Sequence, residues 1–235
     1  MKKIILVSLI FFINVNAFAQ DDKYIHDPKA KVVLDKVSEK LKNHKTARFY
    51  FRYTLYNVQD SSKSEYQGFL FVKGEKKYKI LIPGQEMFSN GVKTFTFNKS
   101  ANEMNITFVD PSADAVYTPQ NMLNMYKKGY KYQYKGDLTF AAAVRKDGKI
   151  ATKNKTCAVI DLYPEKIKKS TFAIIRLWID KSTNELVSAK FQQKNGIEQV
   201  VEILTTDFDI TINDKIFIFD KTLYPKNIDV IDFTE

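Results

Sequence analysis

The stretch ARFYFRYTLY, residues 47–56, decides the fold class of this chain. Its side chains alternate strictly, with Phe49, Phe51, Tyr53 and Leu55 on one side and Arg48, Tyr50, Arg52 and Tyr56 on the other. An alternation of period two is typical of a β-strand that buries one face. We therefore predict a strand here and search the rest of the chain for strands that would pair with it.

The same alternation recurs in eight further stretches. They are marked by Leu70/Val72, Tyr78/Ile80/Ile82, Phe95/Phe97, Met104/Ile106/Phe108, Ile160/Leu162, Ile175/Leu177/Ile179, Val187/Ala189/Phe191 and Val201/Ile203. Turn signals separate several of them, most clearly Asn90-Gly91 and Asn195-Gly196. Short strands joined by hairpin turns predict an antiparallel meander.

Two stretches favour a helix instead. Residues 28–42 begin with Pro28 after a capping Asp27, and their apolar residues recur at spacings of three and four. A second helix is predicted at 119–128; it starts after Thr118, carries three apolar side chains and stops at Gly129. The three side chains are Met122, Leu123 and Tyr126. Residues 137–152 fit either a short helix or a strand.

The balance of these elements predicts a mainly β (α+β) fold. Two helices are too few to cover one face of about ten strands, and an uncovered apolar face is unstable in water. The sheet must then curl on itself. We expect a single curled antiparallel sheet that forms an unclosed barrel, with helices plugging the concave side, in one domain over residues 20–235.

The N-terminus indicates export. Met1-Lys2-Lys3 precedes the apolar run 4–13, and Ala17-Phe18-Ala19 supplies a cleavage site, so residues 1–19 are predicted to be a signal peptide. The alternative is a membrane anchor. Ten helical residues rise only about 15 Å, roughly half of the hydrocarbon core of a bilayer. We therefore predict cleavage and a periplasmic location.

Composition argues against catalysis. The chain has two histidines and one cysteine, and none of its acidic residues stands at metal-ligand spacing with them. Cys157 lies in a predicted strand, where a small buried hydrophobic residue is expected. We expect no enzymatic activity, no cofactor and no metal. The net charge, +10 for the whole chain and +8 without residues 1–19, suits anionic lipid headgroups or acidic partners. No nucleic-acid-binding motif accompanies it.

Several motifs in order along the chain resemble the LolA-like outer-membrane lipoprotein carrier family. They are Val33-Leu34-Asp35-Lys36-Val37 followed by Ala47-Arg48-Phe49-Tyr50-Phe51, then Gly68-Phe69-Leu70-Phe71-Val72-Lys73, Phe88-Ser89-Asn90-Gly91-Val92-Lys93-Thr94-Phe95, Leu162-Tyr163-Pro164, Leu177-Trp178-Ile179-Asp180, Phe217-Ile218-Phe219-Asp220 to Pro225, and Val230-Ile231-Asp232. The resemblance implies an unclosed barrel with helices at its mouth. It also implies a monomer that takes the acyl chains of lipoproteins from an inner-membrane ABC exporter and passes them to an outer-membrane acceptor.

The resemblance also implies an apolar cavity, which we expect nine residues to line: Leu70, Val72, Ile80, Phe95, Phe97, Ile106, Met122, Leu123 and Tyr126. One position departs from the family. Where its best-known members have an arginine that helps to hold a lid shut, this chain has Gly74, so we expect lid closure to rest on apolar contacts. Two alternatives stay open: the same half-barrel also suits a lipid- or lipoprotein-sensing module that regulates a protein partner, and the apolar rows also suit an ordinary core.

Overall fold

The computed structural model of the chain describes residues 26–109, 126–127, 129–142 and 152–235. One α-helix and twelve strands lie in these ranges. They are α1 Pro28–Lys42, β1 Thr46–Asn57, β2 Ser62–Lys73, β3 Lys77–Ile82, β4 Gln85–Asn90, β5 Lys93–Asn98, β6 Glu103–Phe108, β7 Tyr130–Phe140, β8 Lys155–Pro164, β9 Phe172–Asp180, β10 Glu185–Gln193, β11 Ile197–Phe208 and β12 Asp229–Asp232.

All twelve strands belong to one sheet, in the order β12-β6-β5-β4-β3-β2-β1-β11-β10-β9-β8-β7. Every neighbouring pair is antiparallel except β12 and β6, which are parallel. In the sheet as described, β12 and β7 are the two edges and do not pair with each other. The unclosed antiparallel barrel predicted from the sequence is therefore confirmed.

The helix α1 occupies the predicted residues and begins at the predicted cap. The Asp27 side chain accepts hydrogen bonds from the backbone N–H groups of Lys29 at 2.8 Å and Ala30 at 3.4 Å. These bonds satisfy donors that a helix N-terminus leaves without partners. The other carboxylate oxygen of Asp27 accepts from the backbone N–H of Tyr134 in β7 at 3.0 Å, so the cap also ties the start of α1 to the sheet.

The sheet has two faces with different covers. In an antiparallel ladder, residues directly opposite one another point to the same face. One row therefore runs through Ile160, Leu177, Ala189, Val201, Tyr53 and Tyr66. The fully buried Leu34 and Val37 of α1 belong to one apolar cluster with Ile160, Leu177 and Ala189 of this row. We call this side of the sheet the helix face and its reverse the opposite face.

The opposite face is covered at the other half of the sheet by residues 212–228, which follow β11. The covering residues and the strands form a C-terminal cluster that contains Phe88, Phe95, Phe97, Met104, Ile106 and Ile228, with Phe219, Tyr224 and Val230 packed against it. Tyr224 meets Phe97 edge to face, with ring centroids 5.0 Å apart. Asp214 holds the start of the segment through Lys73 at 3.2 Å and Lys77 at 2.9 Å.

Three strands depart from the expectation. The sequence pattern did not mark β4, β7 or β12. In β4 and β12 two apolar residues stand side by side instead of alternating, and the alternation in β7 extends only from Tyr130 to Tyr134, before Gly136. The predicted signal peptide and most of the helix predicted at 119–128 lie outside the described residues. Residues 137–140, which fit two alternatives in the sequence, belong to β7.

Candidate functional site

An apolar cluster lies in the middle of the sheet, beside the area that α1 covers. This central cluster consists of Ala47, Phe49, Phe51, Leu70, Val72 and Ile203. Two partly buried residues, Leu41 of α1 and Val201 of β11, pack both against it and against the cluster beneath the helix. Strand β3, which borders the central cluster, is only half-buried along its whole length. The helix face therefore changes from fully covered to partly covered where α1 ends.

Two clefts open at this boundary, next to the C-terminal end of α1. They are narrow in this conformation: each has about 10 Å³ of space that the centre of a water molecule can occupy, which is room for about one water molecule. Leu41, Phe49 and Phe208 line both of them. The first cleft continues along Val37, Leu186 and Ile203, and the second along Ala47 and Val72. The floor of each cleft is therefore apolar.

Phe208 stands between the two clefts. Its half-buried ring stacks on the imidazole of His44, with centroids 4.0 Å apart and an interplanar angle of 14°. It also meets the ring of Phe49 edge to face at 6.2 Å. A ring that touches the helix end on one side and the sheet on the other forms a wall shared by both clefts.

Polar groups surround the mouths of the clefts and tie the end of α1 to the sheet. The Lys40 ammonium lies 2.6 Å from the Glu185 carboxylate and donates a hydrogen bond to the backbone carbonyl of Thr183 at 2.8 Å. Nδ1 of His44 lies 2.7 Å from the Asp209 carboxylate. This contact is the main reason why the pKa of Asp209 falls below its usual value.

Tyr126, which lies in a turn, also contacts α1. Its hydroxyl donates to Asp35 at 2.6 Å, and the Lys127 ammonium donates to the Ser38 hydroxyl at 2.8 Å. Lys31 and then the Tyr126 hydroxyl lower the pKa of Asp35. Burial, helped by the same carboxylate, raises the pKa of Tyr126. The segment at 126–127 is thus joined to the helix by polar contacts as well as apolar ones.

The structure divides the nine predicted lining residues. Leu70, Val72 and Ile80 meet on the helix face, in and beside the central cluster, and Tyr126 lies in the neighbouring cluster beneath α1. Met122 and Leu123 lie outside the described residues.

Phe95, Phe97 and Ile106 point the other way. The row that starts at Leu70 continues through Ile80 and Met87 to Thr96, so the two phenylalanines that flank Thr96 face the reverse side. Ile106 pairs with Phe95 and shares its face. All three are packed under residues 212–228. A binding surface on the helix face would therefore include Leu70, Val72 and Ile80. It would not include Phe95, Phe97 or Ile106.

Gly74 has a local role that the sequence comparison did not suggest. It lies in the turn between β2 and β3 with φ +62°, a left-handed conformation in which side chains are strained. Its backbone N–H donates to the carbonyl of Lys45 at 2.8 Å, which links the turn to the start of β1. A glycine at this position follows from the turn rather than from crowding, since among the described residues no atom would lie within 4 Å of a Cβ there.

Sequence reasoning missed Leu41, His44 and Phe208 as members of the site. The period of α1 identified Leu41 only as part of its apolar face, and His44 follows the helix without any motif. Phe208 continues the alternation of β11 after a bulge in the pairing of β11 with β1, between Tyr50 and Phe51. A bulge shifts the alternation by one residue, so sequence periodicity did not extend to Phe208.

No group of three or more His, Cys, Asp or Glu side chains within the described ranges is arranged to hold a metal ion. Burial raises the pKa of the Cys157 thiol to about 11. Among the described helices, none has the length and apolar character needed to cross a membrane.

The fold and the clefts define a class of protein, an unclosed β-barrel with a helix across one apolar face. A crystal structure of an uncharacterized conserved protein from Thermus thermophilus is similar to this chain, with a TM-score of 0.52, 10% identity and coverage of 87% of this chain and 99% of that chain. A LolA superfamily protein from Nitrosomonas europaea has a TM-score of 0.42 and 14% identity, over 81% of this chain and 97% of its own. The MucA/MucB complex structure from Pseudomonas aeruginosa has a TM-score of 0.36 and 12% identity, over 82% of this chain and 61% of that chain.

No family model and no curated protein matches the sequence. At 10% identity, the similarity to the Thermus thermophilus structure is a similarity of fold.

Proposed function

We propose that this protein is a periplasmic carrier that binds acyl chains of lipoproteins on the helix face and ferries them from the inner to the outer membrane. The observation that carries the proposal is the boundary at the end of α1, where the buried central cluster borders the half-buried strand β3 and two narrow apolar clefts open. Acyl chains fit such a surface because their recognition needs apolar contact and no chemistry.

The energetic need for a carrier supports the proposal. Exposing an acyl chain of about 16 carbons to water costs roughly 12 kcal/mol, at about 0.8 kcal/mol per methylene. A lipoprotein crossing an aqueous compartment therefore requires a protein surface that replaces the apolar contacts of the membrane. On this proposal the chain works as a monomer between an inner-membrane ABC exporter and an outer-membrane acceptor.

Native mass spectrometry of the protein purified from its own periplasm tests the lipid-binding part. We expect a population heavier than the mature chain by the mass of an acylated molecule. A spectrum that contains only the bare chain, or a stable complex with a protein and no lipid, would contradict a carrier.

Release of lipoproteins from spheroplasts tests the transport part. Added wild-type protein should release lipoprotein into the soluble fraction. Leu70→Asp places an unpaired carboxylate in the central cluster, which is costly to bury, so this variant should release much less. Glu65→Asp, at an exposed position of the same strand, is the matched control and should behave like wild type. Equal release by all three proteins would show that the helix face does not hold the cargo.

A further inference from the structure

We infer that the two clefts at the end of α1 are one acyl-chain site closed by the ring of Phe208, with its opening at the C-terminal end of the helix. The inference rests on the proposed function. It places the binding site at the end of α1, makes Phe208 its gate and has the acyl chain enter from the C-terminal end of the helix. The ligand is a single acyl chain with an oxygen-rich head, either a free carboxylate or the ester carbonyls of a diacylated lipopeptide.

The shared wall is the first argument. Leu41, Phe49 and Phe208 line both clefts, so side chains rather than a whole strand or helix divide one cleft from the other. Phe208 is the last residue of β11, and its half-buried ring lies between His44 and Phe49. Rotation of the Phe208 ring out of the stack would remove the outermost of these three side chains and connect the clefts above Leu41 and Phe49.

The distribution of polarity is the second argument. The interior ends of the clefts are apolar and meet buried residues, Val72 in one and Ile203 in the other. The mouths carry Lys40, Lys45 and His44, with Lys45 exposed to solvent. Lys40 is already held by Glu185, so the exposed Lys45 ammonium is the group that can donate hydrogen bonds to carboxylate or ester oxygens, while the chain lies along the apolar floor. This arrangement orients the ligand with its head outward at the helix end.

The backbone at the mouth is fixed, so only the Phe208 side chain needs to move. Asp209 has φ +53°, a left-handed conformation that is uncommon for a non-glycine residue. Its carboxylate is the partner of His44 and also accepts from the backbone N–H of Lys45 at 3.3 Å. Residue 209 thus fixes both the end of α1 and the position of the neighbouring Phe208 ring.

A pair of substitutions in β11 tests the location of the site. Thr206 pairs with Phe49 on the helix face and lines the first cleft, whereas Thr205 pairs with Tyr50 on the opposite face. Both threonines are half-buried. Thr206→Trp should fill the cleft and weaken binding of a fluorescent 16-carbon fatty acid and of a synthetic diacylated lipopeptide by tenfold or more, about 1.4 kcal/mol. Thr205→Trp should leave both affinities within about twofold, and circular dichroism should show that both variants fold.

A second pair tests the gate. Phe208→Ala removes the wall, so stopped-flow uptake of the fatty acid should be about tenfold faster or more. Phe69→Ala removes an aromatic ring that is 39% exposed on the opposite face and should not change the rate. Uptake at the wild-type rate by the Phe208 variant would overturn the gate.

The outcomes separate the inference from the proposed function. If wild type binds neither the fatty acid nor the lipopeptide, the proposed function fails and the site fails with it. If wild type binds and Thr206→Trp binds equally well, the chain is held elsewhere and only the inference is wrong. Binding of the fatty acid without the lipopeptide assigns the site to a free carboxylate head and contradicts a lipoprotein carrier, whereas binding of the lipopeptide without the fatty acid assigns the site to ester carbonyls.

Discussion

A single methyl group added at Gly68 should destabilise the protein strongly. Gly68 lies in β2, opposite Phe51 on the helix face. A Cβ there would lie 2.2 Å from the backbone oxygen of Leu81, 2.8 Å from Cγ2 of Ile82 and 3.1 Å from the Phe51 ring. The first contact is with backbone, which has no rotamer that could move away.

The size of the effect follows from these distances. A carbon and a carbonyl oxygen approach to about 3.3 Å at closest, so β2 and β3 must separate by about 1 Å where Phe69 pairs with Leu81. Overpacking of a core costs about 1–3 kcal/mol, and a ladder hydrogen bond lost with it adds about 1 kcal/mol. We expect Gly68→Ala to lower the free energy of unfolding by about 3 kcal/mol. With a urea m-value near 2 kcal/mol/M, the midpoint falls by more than about 1 M.

Equilibrium urea unfolding, followed by circular dichroism, measures this change. Ser64→Ala, an exposed position of the same strand and face, is the control and should stay within about 0.5 kcal/mol of wild type. Gly74→Ala separates crowding from backbone strain, since its Cβ would meet no described atom within 4 Å but its φ is +62°; it should cost about 1 kcal/mol. A Gly68 variant no less stable than the Gly74 variant would refute the close approach of β3 to β2.

Three further predictions concern charged and reactive groups. Arg176→Ala should lower the free energy of unfolding in urea by about 3 kcal/mol, because it removes both hydrogen bonds that Arg176 donates to the Asp161 carboxylate, which is 1% exposed. The double variant Asp161→Leu/Arg176→Met should lower it less, because no charge is left buried. The Cys157 thiol, whose pKa is raised to about 11, should react with a maleimide at pH 8 at least about 100-fold more slowly in the folded protein than in urea. The contact with His44 lowers the pKa of Asp209. The stabilisation from this contact is therefore fully present above the unfolded pKa of about 4 and is lost as the pH falls through the lowered pKa of the folded protein. Amide exchange at the end of α1, corrected for its intrinsic rate, should therefore accelerate below about pH 4, and Asp209→Asn should show the faster exchange at neutral pH as well.

The fold was predictable because its signals are local. The helix needs a cap and an apolar spacing, both visible around Asp27 and Leu34, and the strands need only alternation and turns. The strands that the sequence did not predict, β4, β7 and β12, have a weak alternation and are held in the sheet by hydrogen bonds to neighbouring strands. The short β12, for example, is fixed by parallel pairing to β6, which no local signal announces.

The site was only partly predictable because alternation does not say which face of a sheet a row occupies. Phe95 and Phe97 alternate as regularly as Leu70 and Val72. The register through β3 and β4 nevertheless puts the two phenylalanines on the opposite face and Leu70 and Val72 on the helix face. The cover that makes the second face apolar is the segment 212–228, far along the chain from the strands it protects. Tertiary packing determines which face this segment covers, and the alternation of the strands does not indicate it.

The two covers of the sheet are separate, so on the proposed function the helix face would open without involving residues 212–228. The C-terminal cluster shares no residue with the other two clusters, whereas those two are joined through Leu41 and Val201. Lifting the end of α1 would uncover the fully buried Val37, at a cost of about 1.5–3 kcal/mol, and the partly buried Leu41, at a smaller cost. An acyl chain of about 16 carbons returns roughly 12 kcal/mol when it leaves water. On the proposed function, a bound chain would replace the helix end over the central cluster without disturbing the half of the sheet held by residues 212–228. Return of the helix to the same apolar surface would then assist release of the chain.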